Sequence, residues 1–307
     1  QPADPLAVAV FGAFADRLRG ARARVGGLRR LLRWTGVRHL VGWEFANRQA
    51  LLTIAAKCEG IPVSGFMHGA GMRTYMAHEF MPEFQAARPH GPDRFGVWSE
   101  WWREYYQRQS KLYGSVEVSG PMRPAAVLAK GERGPREGPL RVLWISEPLI
   151  HPSEVIDYLD AVRARHELVI KIRPANKDRF YSALLELRPD YAQTPAVDGS
   201  IHEAVANADV VVGSHSTAVI EASLQETPFV LVATQQWGDY FEVADGVQPA
   251  LYVTTPADLL VSIDAHGTAP DRGRIRQLRE RFFGQPGASG TAWLAEVVTA
   301  DVGAVAT

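Results

Sequence analysis

A single cysteine, Cys58, stands among 307 residues, so no disulfide can close within the chain and a cross-linked scaffold is excluded. Its setting, "LLTIAAKCEG", reads as an amphipathic helix, which makes the thiol a packing residue in a reducing compartment rather than a nucleophile. Apolar runs are short. None approaches the roughly 20 residues that span a bilayer, and no charged, apolar and small-residue leader opens the sequence, so a cytoplasmic chain is expected. Net charge is nearly absent as well, −1 from 33 Lys and Arg against 34 Asp and Glu, which argues against nucleic acid as a partner. Several patterns are missing: a GxxxxGK(S/T) phosphate loop, a GxGxxG after the first strand, and HExxH or CxxC spacings. Phosphate-loop hydrolysis, nicotinamide chemistry and structural zinc are thereby disfavoured, and neither a metal nor a cofactor is expected.

What is present suffices for two globular cores, with 46% hydrophobic and 22% charged residues. Leu6, Val10, Phe14 and Leu18 recur at a spacing of four behind Asp4 and Pro5, the start of a helix. Between Arg17 and Arg38 eight arginines interleave with Leu18, Val25, Leu28, Leu31, Leu32 and Trp34. The plain reading is a solvated helix face; a basic surface resting on anionic lipid, with the protein peripheral at the inner face of the cell membrane, is the other.

Next, "VRHLVGWE", "NRQALLTIAAKCEG" and "IPVSGFMHG" form strand, helix and strand with short links, the grammar of a parallel sheet. Beyond a polar loop the rhythm resumes with "DRFGVWSE", "EWWREYYQRQSKLYG" and "SVEVSG". Composition shifts at "AKGERGPREGPL", rich in Gly, Pro and charge, which reads as an interdomain linker over 129–140. A first domain over 1–128 and a second over 141–285 follow, with a last stretch, 286–307, packing back on the first. In the second, "RVLWIS", "ELVIKIRP", "DVVVGS" and "PFVLVA" are continuous apolar runs, so their strands are covered on both faces and the domain is doubly wound α/β.

Ligands of such sheets lie beyond the carboxyl ends of the strands, which makes three turns chemically interesting. In "DVVVGSHSTAVIEAS" the strand ends at Gly213, which lets the backbone turn tightly; Ser214, Ser216 and Thr217 offer hydroxyls, and a helix N-terminus directs its amides into the same space. Glu221 lies one turn deeper, where a carboxylate can accept both hydroxyls of a ribose. His215 is the residue placed to touch a transferred group. The plainer alternative is that Ser216 or Thr217 merely caps the helix and Glu221 forms an ordinary ion pair. In "VIKIRPANK", Lys171 and Arg173 are expected to point outward beside Asn176, where they would meet a phosphate. In "GFMHGAGMRTY", His68 ends a strand beside Gly69, suited to take a proton from a sugar hydroxyl at neutral pH; Gly69 and Arg73 would face the acceptor. Glu44, ending "HLVGWE", is a second carboxylate on that edge.

With these turns in place, the sequence resembles the GT-B glycosyltransferases of bacterial surface-polysaccharide assembly, covering about Val41 to Leu260. "IPVSGFMHG" is similar to a turn of capsule and teichoic-acid transferases, and "VVVGSHSTAVIEASLQETPFVLV" to their donor-binding turn and helix. "KIRP" resembles the lysine-bearing "HP" turn of sialyl- and Kdo-transferases, with Arg173 in place of the histidine. The resemblance implies an α/β, GT-B-like fold: two Rossmann-like doubly wound parallel-sheet domains facing a cleft, with a shortened first domain. It implies transfer from a nucleotide-sugar, a CMP-sugar such as Kdo or sialic acid being favoured, to a hydroxyl of a glycan or lipid-linked acceptor in capsule or lipopolysaccharide assembly, without a bound metal. Alternatives are a CDP-polyol phosphotransferase, a non-hydrolysing nucleotide-sugar epimerase and a non-catalytic nucleotide-binding or scaffolding subunit.

Overall fold

A computed structural model describes residues 5–43, 47–69, 91–109, 111–122, 138–173 and 178–304, the side chains of 5–14, 47, 48 and 109 excepted. Glu44, Arg73, Asn176 and most of the 129–140 stretch lie outside these residues. The chain divides into two compact units, Gln1–Pro124 with Phe283–Thr307, and Ala125–Phe282.

The first unit holds a four-stranded parallel sheet in the order β1 (Leu40–Gly42), β2 (Val63–Phe66), β3 (Arg94–Val97), β4 (Ser115–Val118). Among the described residues its helices are α1 (Pro5–Thr35), α2 (Asn47–Cys58), α3 (Glu100–Gln109) and a terminal helix, Gly290–Ala304. The four strands are the four apolar runs of the sequence. In α3, Trp102, Tyr105 and Tyr106 fall at spacings of three and four, and all are buried; each such ring contributes about 1.5–3 kcal/mol of burial. Phe95 stacks on Tyr113 with ring centroids 4.3 Å apart, and Trp98 on Phe283 at 5.4 Å. The terminal helix packs on β2 and β3, where Trp293 Nε1 donates to Glu117 at 3.0 Å. Gly96 permits that approach, because a Cβ there would stand 2.6 Å from the Trp293 ring.

Along α1, Leu32 is buried while Leu18, Leu31 and Trp34 are exposed. Arg29 and Arg33 reach Glu59 at 2.5 and 3.6 Å; Arg17, Arg22, Arg24 and Arg30 lie in solvent. No helix among the described residues is long and apolar enough to cross a membrane.

The second unit is a six-stranded, fully parallel sheet in the order β10 (Tyr252–Val253), β9 (Phe229–Val232), β8 (Val210–Gly213), β5 (Arg141–Ile145), β6 (Glu167–Lys171), β7 (Ala196–Val197). All four residues of β8 and of β9 are buried, as the continuous apolar runs require of strands covered on both sides. Helices α4 (Ile156–Arg165), α5 (Arg179–Leu187), α6 (Ile201–Ala206), α7 (Thr217–Ile220), α8 (Pro256–Thr268) and α9 (Arg272–Phe283) complete it. Caps fix where they begin: Thr255 accepts from the Asp258 amide at 3.1 Å ahead of Pro256, and Asp178 from the Tyr181 amide at 2.8 Å.

Numbered from β5, this order reads 6-5-4-1-2-3, the doubly wound arrangement of dinucleotide-binding folds. Chain connections leave β5 and β8 toward opposite edges, so a crevice opens between their carboxyl ends. The residues that follow those two strands are therefore the ones placed to meet a ligand.

Candidate functional site

Two consecutive residues after β5 tie the neighbouring turns together. Ser146 donates to Asp178 Oδ1 at 2.5 Å, and Asp178 in turn accepts from the Arg173 amide at 2.7 Å, which fixes the end of the β6 turn. Glu147 reaches the other way. Its carboxylate accepts from the backbone amides of Ser214, His215 and Ser216 at 3.0, 2.9 and 2.5 Å. Three successive N–H groups converging on one carboxyl group form an anion nest, and here its occupant is the protein's own side chain.

Burial sets the electrostatics. Glu147 is 2% exposed, and removal from water pushes its carboxyl up to about 7, against the pull of the three amides and of Arg173. His215 is likewise buried, and burial with the nearby Arg173 charge pulls its imidazole down to about 4. It is therefore neutral at pH 7. His215 Nδ1 lies 3.7 Å from Glu147 Oε2, too long for a hydrogen bond, and the two form no ion pair at neutral pH. The imidazole instead stacks on Trp237, with centroids 4.4 Å apart and an interplanar angle of 23°. Trp237 belongs to the turn after β9, whose Gln235 amide donates to Glu154 at 3.0 Å. The turns after β5, β6, β8 and β9 thus meet in one cluster.

Gly213 has its place in this cluster, for a reason other than turning. Its φ is not in the left-handed region, but a Cβ would sit 2.5 Å from Val219 and 3.5 Å from Glu147 Oε1, so it admits the helix and the carboxylate. Ser216 caps α7, its hydroxyl accepting from the Ala218 amide at 3.3 Å. Thr217 starts α7 and Glu221 begins the 3-10 turn that extends it; both are half-buried. Arg173 is exposed and acts electrostatically on both Glu147 and His215.

Three expectations are corrected. The first helix amides do not stand open, because Ser216 accepts from those of Ala218 and Val219, while Glu147 occupies the three amides just before the helix. Lys171 does not point outward beside Arg173: it is 7% exposed, its Nζ donates to the Ile172 carbonyl at 2.6 Å, and desolvation lowers its pKa while Asp198 and Asp178 oppose that. The buried last position of β6 turns its stem inward. His215 is not open to a transferred group either, since it is buried and its ring packs against Trp237.

In the first unit His68 is exposed and Gly69 half-buried. Met67, just before, is held at both ends: its amide donates to Gly96 at 2.8 Å and its carbonyl accepts from Trp98 Nε1 at 3.0 Å. His68 thus projects from an anchored strand end. The sequence reading missed Glu147, Asp178 and Trp237. Glu147 follows "RVLWIS" directly, and the strand-end rule applied to the other turns would have found it. Among the described residues no group of three His, Cys, Asp or Glu side chains is arranged to hold a metal ion. A groove of about 320 Å³ beside edge strand β7, lined by Leu143, Val169, Asp198 and Glu203, shares no residue with the turn cluster.

No family model and no curated protein matches the sequence. Solved structures do match in shape. Arabidopsis thaliana UGT89C1 complexed with UDP superposes with a TM-score of 0.59 at 14% identity, over 95% of this chain and 79% of that one. A putative UDP-N-acetylglucosamine 2-epimerase from Listeria monocytogenes gives 0.59 at 13%, over 90% and 78%. The wall teichoic acid polymerase TagF gives 0.52 at 12%, over 86% and 72%. The chain has the GT-B fold, α/β with parallel sheets.

Proposed function

We propose that this chain is a GT-B glycosyltransferase that moves a sugar from a nucleotide-activated donor to a hydroxyl of a glycan or lipid-linked acceptor. The observation that carries the reading is that Arg173 follows β6 and Ser216 and Thr217 follow β8, at the carboxyl ends of strands on either side of β5, with Arg173 acting electrostatically on Glu147 and His215 of the same cluster. Doubly wound sheets bind their ligands there. A guanidinium and two hydroxyls suit the phosphate of a leaving nucleotide. The Ser216 oxygen is the acceptor in the helix cap, which leaves its proton to give to a phosphate. Glu221 supplies a carboxylate for the ribose. His68 takes the proton of the acceptor hydroxyl, and positive charge at the leaving phosphate lowers the barrier by electrostatic stabilisation, on the order of 3 kcal/mol per donor group.

A CMP-sugar is the favoured donor, on the resemblance of "KIRP" and the Ser216–Thr217 turn to sialyl- and Kdo-transferases, and surface-polysaccharide assembly is the favoured setting. The exposed arginines of α1 give a surface for an anionic membrane that carries a lipid-linked acceptor. Thermal unfolding with CMP, UDP and GDP tests the donor site: a ligand at 100 times its Kd adds about 2.7 kcal/mol. Stabilisation by CMP above the other two is expected, and Arg173→Ala should abolish it. Failure of every nucleotide to stabilise the protein sinks the reading. An epimerase is the second reading, favoured by the Listeria monocytogenes likeness; it would convert a UDP-sugar with no acceptor present.

A further inference from the structure

The turn after β8 has the shape of a seat for an anion, and the seat is taken. We propose that Glu147 is a positioning residue that occupies the nest of the Ser214, His215 and Ser216 amides permanently, so that a ligand phosphate is met by side chains beside the turn, Arg173 first among them, and not by those amides.

The geometry leaves no second place. All three N–H groups point at one carboxylate, within 3.0 Å, and an N–H bonded at that distance has no further donor to offer. The carboxylate cannot swing into water without breaking buried bonds, since its side chain is 3% exposed. It arrives from the adjacent strand, so it fixes the 213–217 turn against β5 and sets the His215 ring on Trp237. Gly213 permits this arrangement, because any Cβ there would press on Val219. Side-chain recognition differs from amide recognition in consequence: it depends on Arg173 and is sensitive to salt, whereas a nest of amides is not removed by any single substitution.

This inference rests on the donor-site reading only for the nucleotide; the nest itself can be tested with inorganic probes. In Glu147→Ala the amides lose their anion. Its melting temperature is expected to fall by about 5–10 °C and to recover at least half of that loss in formate or inorganic phosphate, but not in chloride at equal ionic strength. In formate the wild type should show no such gain. Glu147→Asp should retain most of the stability, a rescue that an apolar packing role would not give. Where Glu147→Ala does not fold, wild-type NMR decides: the Ser214, His215 and Ser216 amide resonances should stay in place as CMP saturates, while Arg173 side-chain resonances move. Equal formate and chloride responses in Glu147→Ala would overturn the proposal, as would large CMP-induced shifts of those three amides in the wild type. If CMP does not bind at all while formate rescue holds, the donor reading fails and the nest assignment stands.

Discussion

His68 and His215 both follow parallel strands at carboxyl edges, one in each unit, and their surroundings are opposite. His68 stands in solvent on a strand end pinned through Met67 to Gly96 and Trp98. His215 is buried, stacked on Trp237 and held neutral by burial and by Arg173. A histidine that moves protons must reach both a substrate and its own charged form; His68 is open to solvent, whereas His215 is kept from ionising until about pH 4. Strand-end position nominates a residue, and burial decides what it can do there.

The sharpest way to break this contrast is to remove each ring in turn. Replacing His68 with alanine should lower transfer by about 10²–10⁴-fold while CMP-dependent thermal stabilisation stays at the wild-type level. Turnover within about tenfold of wild type would show that His68 is not the base. Unfolding stability should change little, within about 0.5 kcal/mol, because the residue is exposed.

For His215 the partner is the better target. Trp237→Ala removes a ring that is 3% exposed, a core truncation that costs about 3–5 kcal/mol in chemical denaturation. It should also free the imidazole, so that His215 titrates nearer its ordinary 6.5 than the present value of about 4. An NMR titration in which the His215 pKa did not rise would show that the stack contributes nothing to its burial.

How far the sequence disclosed this arrangement depends on range. Strands β5, β6, β8 and β9 of the second sheet were legible because they are buried on both faces, and an apolar run with no alternation leaves neither face suited to water; the two-residue β7, with one residue exposed, carries no such run. The four strands of the first sheet were legible from strand, helix and strand rhythm. The serine-rich turn was found because hydroxyls after a glycine at a strand end are a local pattern. Its actual occupant was not: Glu147 lies 67 residues before Ser214, and a pairing between two strand ends depends on strand order, which sequence alone does not reveal. Lys171 shows the opposite error. Counting alternation along β6 sends Lys171 and Arg173 the same way, yet the strand ends at Lys171 and the period fails beyond it.

The smallest expected effect is a cancellation. Glu147 has a folded pKa of about 7 against an ordinary 4.5, so the folded state binds the extra proton and stability declines as pH rises from 4.5 to 7. His215 has a folded pKa of about 4 against 6.5, so the unfolded state binds the extra proton and stability grows as pH rises from 4 to 6.5. Each arm is worth ~3 kcal/mol with opposite sign, so in the wild type their slopes offset between pH 4.5 and 6.5 and the pair leaves less than about 1 kcal/mol of net dependence. Single substitutions should uncover the hidden slopes. Glu147→Gln leaves the histidine arm, and its stability should climb with pH over that window; His215→Phe keeps a ring on Trp237, leaves the carboxyl arm, and its stability should drop. Urea denaturation at half-unit pH steps reads both. Parallel profiles for the two variants would mean that the carboxylate and the imidazole do not titrate as this cluster dictates, and that the anion in the nest is set by something other than burial.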